Sequence, residues 1–123
     1  MILPDETQVP TLPAIPRLLK VGKSALDYLD NRRFEWQTLE LFLHVASQAS
    51  PISQQELEKR MNIAQSAISR NVAKLGNGLT MNDPGARVVE SYEDPTSRNR
   101  KLVRLTSRGE EFKTKLLSLM GLG

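Results

Sequence analysis

Apolar side chains recur along the first part of the chain with a helical period. Ile15, Leu18, Leu19, Gly22, Ala25, Leu26 and Leu29 stand at i, i+3, i+4, i+7, i+10, i+11 and i+14, while Lys20, Lys23, Asp27 and Asp30 fall off that face. The spacing predicts a helix from about Pro16, whose missing N–H is harmless in a first turn. Ahead of it, Pro10, Pro13 and Pro16 remove amide donors and disfavour helix in the residues before them. Residues 1–12 therefore read as an extended arm, and residues 13–123 as a single domain. A second helix, from about Glu35 to Ala49, is apolar around most of its circumference: Trp36, Leu39, Leu41, Phe42, Leu43, Val45, Ala46 and Ala49. A helix of that kind is central and buried. Pro51 ends it.

The next elements are short. Ser53-Gln54-Gln55-Glu56 is a capping box, in which the serine hydroxyl meets an orphan amide and Glu56 reaches back. Leu57 and Met61 supply the inward face of this third helix. Asn62 and Ile63 make a tight corner into a fourth helix, which runs to about Leu75 with Ile68, Val72 and Leu75 inward. Its opposite face carries Gln65, Ser66, Ser69, Arg70 and Ala73. Gly76, Asn77 and Gly78 stop it. After a loop to Gly85 the period changes to two. Residues 87–93 and 101–105 read as strands, joined by the turn-rich Asp94–Arg100 into a hairpin with a basic tip. Thr106 caps a last helix carrying Phe112, Leu116, Leu117 and Leu119. The predicted class is mainly α with a small β-hairpin, in the order α-α-α-α-β-β-α: a winged helix-turn-helix, with the helix-turn-helix at about 53–76 and the wing at about 86–105.

Composition narrows the function. The 123 residues are 39% hydrophobic and 25% charged, which suits one packed domain. No apolar run approaches the ~20 residues of a membrane helix, and the acidic, proline-containing start does not resemble a secretory signal. There are no cysteines, so disulfides and thiolate zinc sites are excluded. These features point to the cytoplasm, or the nucleoid within it. The net charge of +3 is unevenly spread. Residues 1–50 hold five Lys/Arg against six Asp/Glu, and residues 51–123 hold twelve against eight. Arg98, Arg100, Lys101, Arg104 and Arg108 fall between Pro95 and Arg108 with no acid among them. Such a cluster on a modestly charged chain suits phosphate binding; by itself it also describes a solvated face.

Two helices at a tight corner are common. Followed at once by a basic hairpin, they give a reader of duplex DNA one helix for the major groove and a basic loop beside it. The predicted contact set is Ser53, Gln54, Gln65, Ser66, Ser69, Arg70 and Lys74 from the helix-turn-helix, with Thr96, Ser97, Arg98, Asn99 and Arg100 from the wing. The fourth helix lacks the Glu/Lys pairing of a bland exposed surface. Arg98 and Arg100 at the tip suit a minor groove or phosphates. Asp94 is placed to pair with one of them. His44, the only histidine, has no cysteine or second histidine to join it on a metal and reads as structural. Trp36 reads as a core or dimer contact, and Tyr92 as strand packing. Enzyme chemistry fails on inventory: there is no Gly-rich phosphate loop, cysteine nucleophile or nucleophile elbow. No cofactor and no metal are expected.

Residues 37–115 resemble the multiple-antibiotic-resistance regulator (MarR) family of winged-helix proteins. The resemblance is carried by 53–61 (SQQELEKRM), by 67–75 (AISRNVAKL), and by 94–106 (DPTSRNRKLVRLT) with Arg108-Gly109. It implies a homodimer formed by the first and last helices, recognition helices in successive major grooves, and wing arginines in flanking minor grooves. Counted back from Leu105-Thr106, the family's wing Asp and Arg fall on Ser97 and Asn99, so Arg98 and Arg100 flank the usual arginine position. The loop 76–85 is longer than the family's link, and the final helix, stopping near Gly123, is shorter. The family's phenolic-ligand pocket transfers to no residue here. The expected function is a sequence-specific, double-stranded-DNA-binding regulator, dimeric and repressing transcription. The alternatives are an architectural factor in replication, partition or chromatin packing, and a winged-helix module that binds another protein.

Overall fold

The computed structural model describes residues 14–29 and 35–121. The arm at 1–12 lies outside the described residues. Eight elements follow one another: α1 (Ala14–Leu29), α2 (Trp36–Ala46), β1 (Ile52–Ser53), α3 (Gln54–Met61), α4 (Gln65–Leu75), β2 (Val89–Asp94), β3 (Ser97–Leu105) and α5 (Ser107–Leu119). The winged-helix order is as predicted, with one addition. Ile52 and Ser53 pair antiparallel with Val103 and Leu102, making a three-stranded sheet in the order β1-β3-β2. Two residues are too few to display a period, and Ile52, 5% exposed, joins the core all the same.

Burial explains the packing. Leu39, Leu41, Phe42 and Val45 of α2 meet Leu57, Ile68, Val72 and Leu75 from the helix-turn-helix, Val88, Val89 and Val103 from the sheet, and Phe112 of α5. Phe112 sits at the junction, with ring centroids 4.6 Å from both Tyr28 and Phe42. The α2 prediction is corrected in two ways: the helix stops at Ala46 rather than Ala49, and with Trp36 71% exposed and Leu43 exposed it is buried on one side only. On α1 the predicted face is met at Ala25 and corrected at Gly22. Ala25 is buried, with Val21 and Tyr28 packed beside the core, whereas Gly22 is exposed. Ser24 is buried on the same side, its hydroxyl unpartnered among the described residues. The side chains of Ile15, Leu18, Leu19, Leu26 and Leu29 lie outside the description.

Local chemistry fixes the corners. Ser53 Oγ accepts from the Glu56 amide at 3.0 Å, as the capping box predicts. Glu56 does not reach back; it accepts from Arg60 Nε at 3.1 Å, one turn on. Asn62 ends α3 in the left-handed region, φ 54°, which asparagine tolerates better than most residues. Thr106 caps α5, accepting from the Gly109 amide at 3.0 Å. Between α4 and β2 the chain forms a closed loop. Asp83 binds both its ends, accepting from the amides of Leu79 and Gly85 at 3.0 Å each. Arg87 N donates to Gly76 O at 3.0 Å and Val88 N to Leu75 O at 2.8 Å across the mouth. Gly85, at φ +68°, is required there, since a Cβ would lie 2.1 Å from the Gly76 carbonyl oxygen.

Candidate nucleic-acid interface

The outward face of α4 is built by what holds its inward face. Ile68, Val72 and Leu75 anchor the helix in the core. Asn71, 3% exposed, adds a polar clamp to α2: its Oδ1 accepts from Thr38 Oγ1 at 2.6 Å, and its Nδ2 donates to Gln37 Oε1 and to the Ala67 carbonyl at 2.9 Å each. Hydrophobic contacts tolerate small rotations, and directed hydrogen bonds do not. With α4 so held, Gln65, Ser66, Ser69 and Arg70 are all exposed. Lys74 is not among them. Its side chain is 9% exposed and its ammonium pairs with Glu35 just before α2.

The wing differs from the predicted open turn at 94–100. The reversal is confined to Asp94-Pro95-Thr96-Ser97, with Asp94 paired opposite Ser97. The preceding pair is Glu93 with Lys101, so Arg98, Asn99 and Arg100 bulge out between the two pairs. A bulge offers the same exposed cations as a loop while keeping them on a strand. Asp94 organises the tip: its Oδ1 accepts from Thr96 N at 2.9 Å and Thr96 Oγ1 at 2.7 Å, and its Oδ2 lies 3.7 Å from Arg100 Nε. The two Thr96 hydrogen bonds first, then the Arg100 charge, hold its carboxyl below the ordinary carboxylate range against the opposing effect of burial. The expected pairing of Asp94 is thus with Arg100. Thr96, Ser97, Arg98, Asn99 and Arg100 are all exposed.

The basic cluster of the sequence separates into two groups. Arg98, Arg100 and Lys101 stand exposed at the tip. Arg104 and Arg108 are exposed as well, but their guanidinium groups are engaged along the hairpin and the body. Arg104 Nε donates to Glu90 Oε2 at 2.6 Å and its guanidinium lies 4.4 Å from the Tyr92 ring centroid. Arg108 Nε donates to the Ala86 carbonyl at 2.9 Å and its guanidinium covers Tyr28 at 4.7 Å. Between α4 and the hairpin runs a cleft lined by Ser69, Ala73, Ser91 and Lys101, with Gln54 and Val72 in its wall.

The twelve predicted residues therefore fall into two sets. Nine are exposed on α4 or the wing tip. Ser53, Gln54 and Lys74 are drawn inward, at 5% and 8% exposure for the first two, and are engaged in a cap, a side-chain bridge and an ion pair. Sequence reasoning missed Asn71 and Gln55. Asn71 did carry a signal, as a polar residue on the apolar face beside Val72. Gln55, whose Nε2 donates to the Asn99 carbonyl at 3.5 Å, carried none. His44 is half-buried and lies 3.8 Å from Glu40, one turn before it. Among the described residues no three His, Asp or Glu are placed to hold a metal ion, and no helix is long and apolar enough to cross a membrane.

No protein-family model matches the chain, and no curated protein matches it. Solved structures do. A cysteine-to-serine mutant of MarR from E. coli, complexed with operator DNA, matches with a TM-score of 0.59 at 19% identity, over 88% of this chain and 71% of that one. A MepR mutant from a multidrug-resistant S. aureus isolate matches with a TM-score of 0.65 at 14% identity, over 90% and 76%. The PcaV transcriptional regulator of Streptomyces coelicolor, in complex with its natural ligand, matches with a TM-score of 0.57 at 17% identity, over 88% and 70%. The fold is the MarR-like winged helix.

Proposed function

We propose that the protein is a sequence-specific, double-stranded-DNA-binding regulator, acting as a dimer at the nucleoid and repressing transcription, with no catalytic role. One observation carries this reading. The polar face of α4 (Gln65, Ser66, Ser69, Arg70) and the cationic bulge of the wing (Arg98, Arg100) are both exposed, and the elements that carry them flank one cleft, lined by Ser69 of α4 and by Ser91 and Lys101 of the hairpin. Duplex DNA matches that arrangement: base edges in the major groove take the hydroxyl, amide and guanidinium groups of α4, and the adjacent minor groove takes arginine. The solved MarR complex with operator DNA, which shares the fold, supports the same reading. The dimer is supported by an open groove between α1, α2 and α5, lined by Val21, Phe42, Leu43, Leu117 and Met120 and almost wholly apolar at its surface. Exposed apolar surface of this kind marks association sites.

Fluorescence anisotropy on random duplex DNA across a salt series tests the DNA half. Each neutralised phosphate contributes about −0.9 to the log–log salt slope. The Arg98→Ala/Arg100→Ala variant should therefore bind with a shallower slope, by roughly 0.9 for every phosphate that an arginine had neutralised. An unchanged slope removes the wing from the interface. No binding by the wild type at ~50 mM salt, where non-specific affinity is strongest, removes DNA altogether.

A further inference from the structure

We propose that Gln54 is a positioning residue: it fixes the distance between α4 and the wing, and so keeps readout of the two grooves in step. The proposal rests on the DNA-binding reading above. Gln54 is the first residue of α3, and its place is set twice over, by the Ser53 cap and by the pairing of Ser53 with Leu102 of β3. Its side chain reaches across the cleft. Nε2 donates to Ser91 Oγ of β2 at 3.2 Å, and Oε1 accepts from Ser69 Oγ of α4 at 3.5 Å. A primary amide presents a donor and an acceptor side by side, so one side chain joins two hydroxyls of opposite polarity. Gln54 is 8% exposed, so water competes poorly for these groups. Its neighbour Gln55 reaches further out, to the Asn99 carbonyl in the bulge. Consecutive glutamines on α3 thus touch the recognition helix, the wing strand and the wing tip.

The wing needs such a tie. Backbone hydrogen bonds from Arg87 and Val88 fix its near end to α4, and β1 holds β3 at Leu102 and Val103, so that only the part beyond is a two-stranded ribbon. Beyond the Glu93–Lys101 pair the regular register of the ladder breaks, and a two-stranded ribbon alone is marginally stable. A loose wing still attracts phosphates, because that attraction is long-ranged and indifferent to small displacements. Base readout is not indifferent, since it depends on hydrogen-bond geometry at fixed points of the duplex. Removing the tie should therefore lower specific affinity and spare non-specific affinity.

Two variants test this. Gln54→Met keeps the length of the side chain and removes its hydrogen bonds. Gln54→Glu keeps two oxygens, which accept from both serine hydroxyls, at a helix start that tolerates negative charge. Binding of Gln54→Met is measured on a duplex selected from a random library by the wild type, and on random duplex. Amide hydrogen exchange over Ser97–Lys101 is measured on both variants without DNA. The expected result for Gln54→Met is a loss of ~10-fold on the selected duplex against less than ~2-fold on random duplex, with faster wing exchange. Gln54→Glu should return exchange towards the wild-type rate. Equal losses on both duplexes, or wing exchange unchanged in Gln54→Met, overturn the proposal. If the wild type prefers no duplex over random sequence, the regulator reading fails and the role in recognition falls with it. The exchange measurement then still decides whether Gln54 holds the wing.

Discussion

Gly109 is a residue where space is not negotiable. A Cβ there would stand 1.9 Å from the Val88 carbonyl oxygen, the same oxygen that accepts the Thr106 amide at 3.1 Å. Backbone cannot step aside as a side-chain end can, so Gly109→Ala should cost at least the ~1–3 kcal/mol typical of overpacking. Urea denaturation measures it; an unchanged midpoint would show that α5 shifts freely. Asp94 makes a prediction of another kind. Its carboxyl is held below the ordinary value of ~3.9 by Thr96 and Arg100. A depressed folded value means that Asp94 contributes its stabilisation in full above that ordinary value and loses it as pH falls through the lower, folded one. The Thr96 amide resonance should titrate below pH ~3.9, and Asp94→Asn should abolish the transition. A midpoint at or above the ordinary value would mean a free carboxylate and an unanchored tip. At this scale the sequence was largely legible. Ser53 and Thr106 announce their caps by residue type alone, and Asp94 its turn. The choice of Arg100 over Arg98 was not readable, because it depends on which residues the bulge absorbs.

Among the elements, α4 shows how a polar contact aims a helix. The Thr38–Asn71 bond at 2.6 Å is buried, with Thr38 2% exposed. Asn71→Ala strands the Thr38 hydroxyl, a destabilisation of about 1–3 kcal/mol. Asn71→Ala combined with Thr38→Val removes both partners and should recover part of that stability. Denaturation of the two single variants and the double gives the coupling, and strict additivity would mean that the bond contributes nothing. The helices were legible because each repeats its apolar residues every three or four positions. The exceptions have physical reasons. On α1, Val21 and Tyr28 join the predicted Ala25 at the core, because Tyr28 stacks on Phe112 at 4.6 Å. β1 is too short for any periodic signal. Strand β3 extends eight residues ahead of Leu105, to Ser97, because a bulge continues a strand through a stretch whose composition reads as turn.

For the whole molecule, the order of the described elements was readable apart from β1, and their mutual placement was not. No spacing brings Gln54 between Ser69 and Ser91, residues 15 and 37 positions away. Nor does the sum of charges reveal that Arg104 and Arg108 are engaged by Glu90 and the Ala86 carbonyl while Arg98 and Arg100 stand in the wing bulge. The long loop from Gly76 to Gly85 has its own consequence. Its ends are fastened to each other and to Asp83, while Met81 at its tip is fully exposed. The covalent bond between Met81 and Asn82 is therefore one the fold does not depend on. A protease cut there should leave two fragments that still melt together as one body, and a peptide or fluorophore spliced in at that bond should ride beside α4 without disturbing it. Fragments that separate on size exclusion would mean that the chain itself, rather than its hydrogen bonds, holds the wing in place.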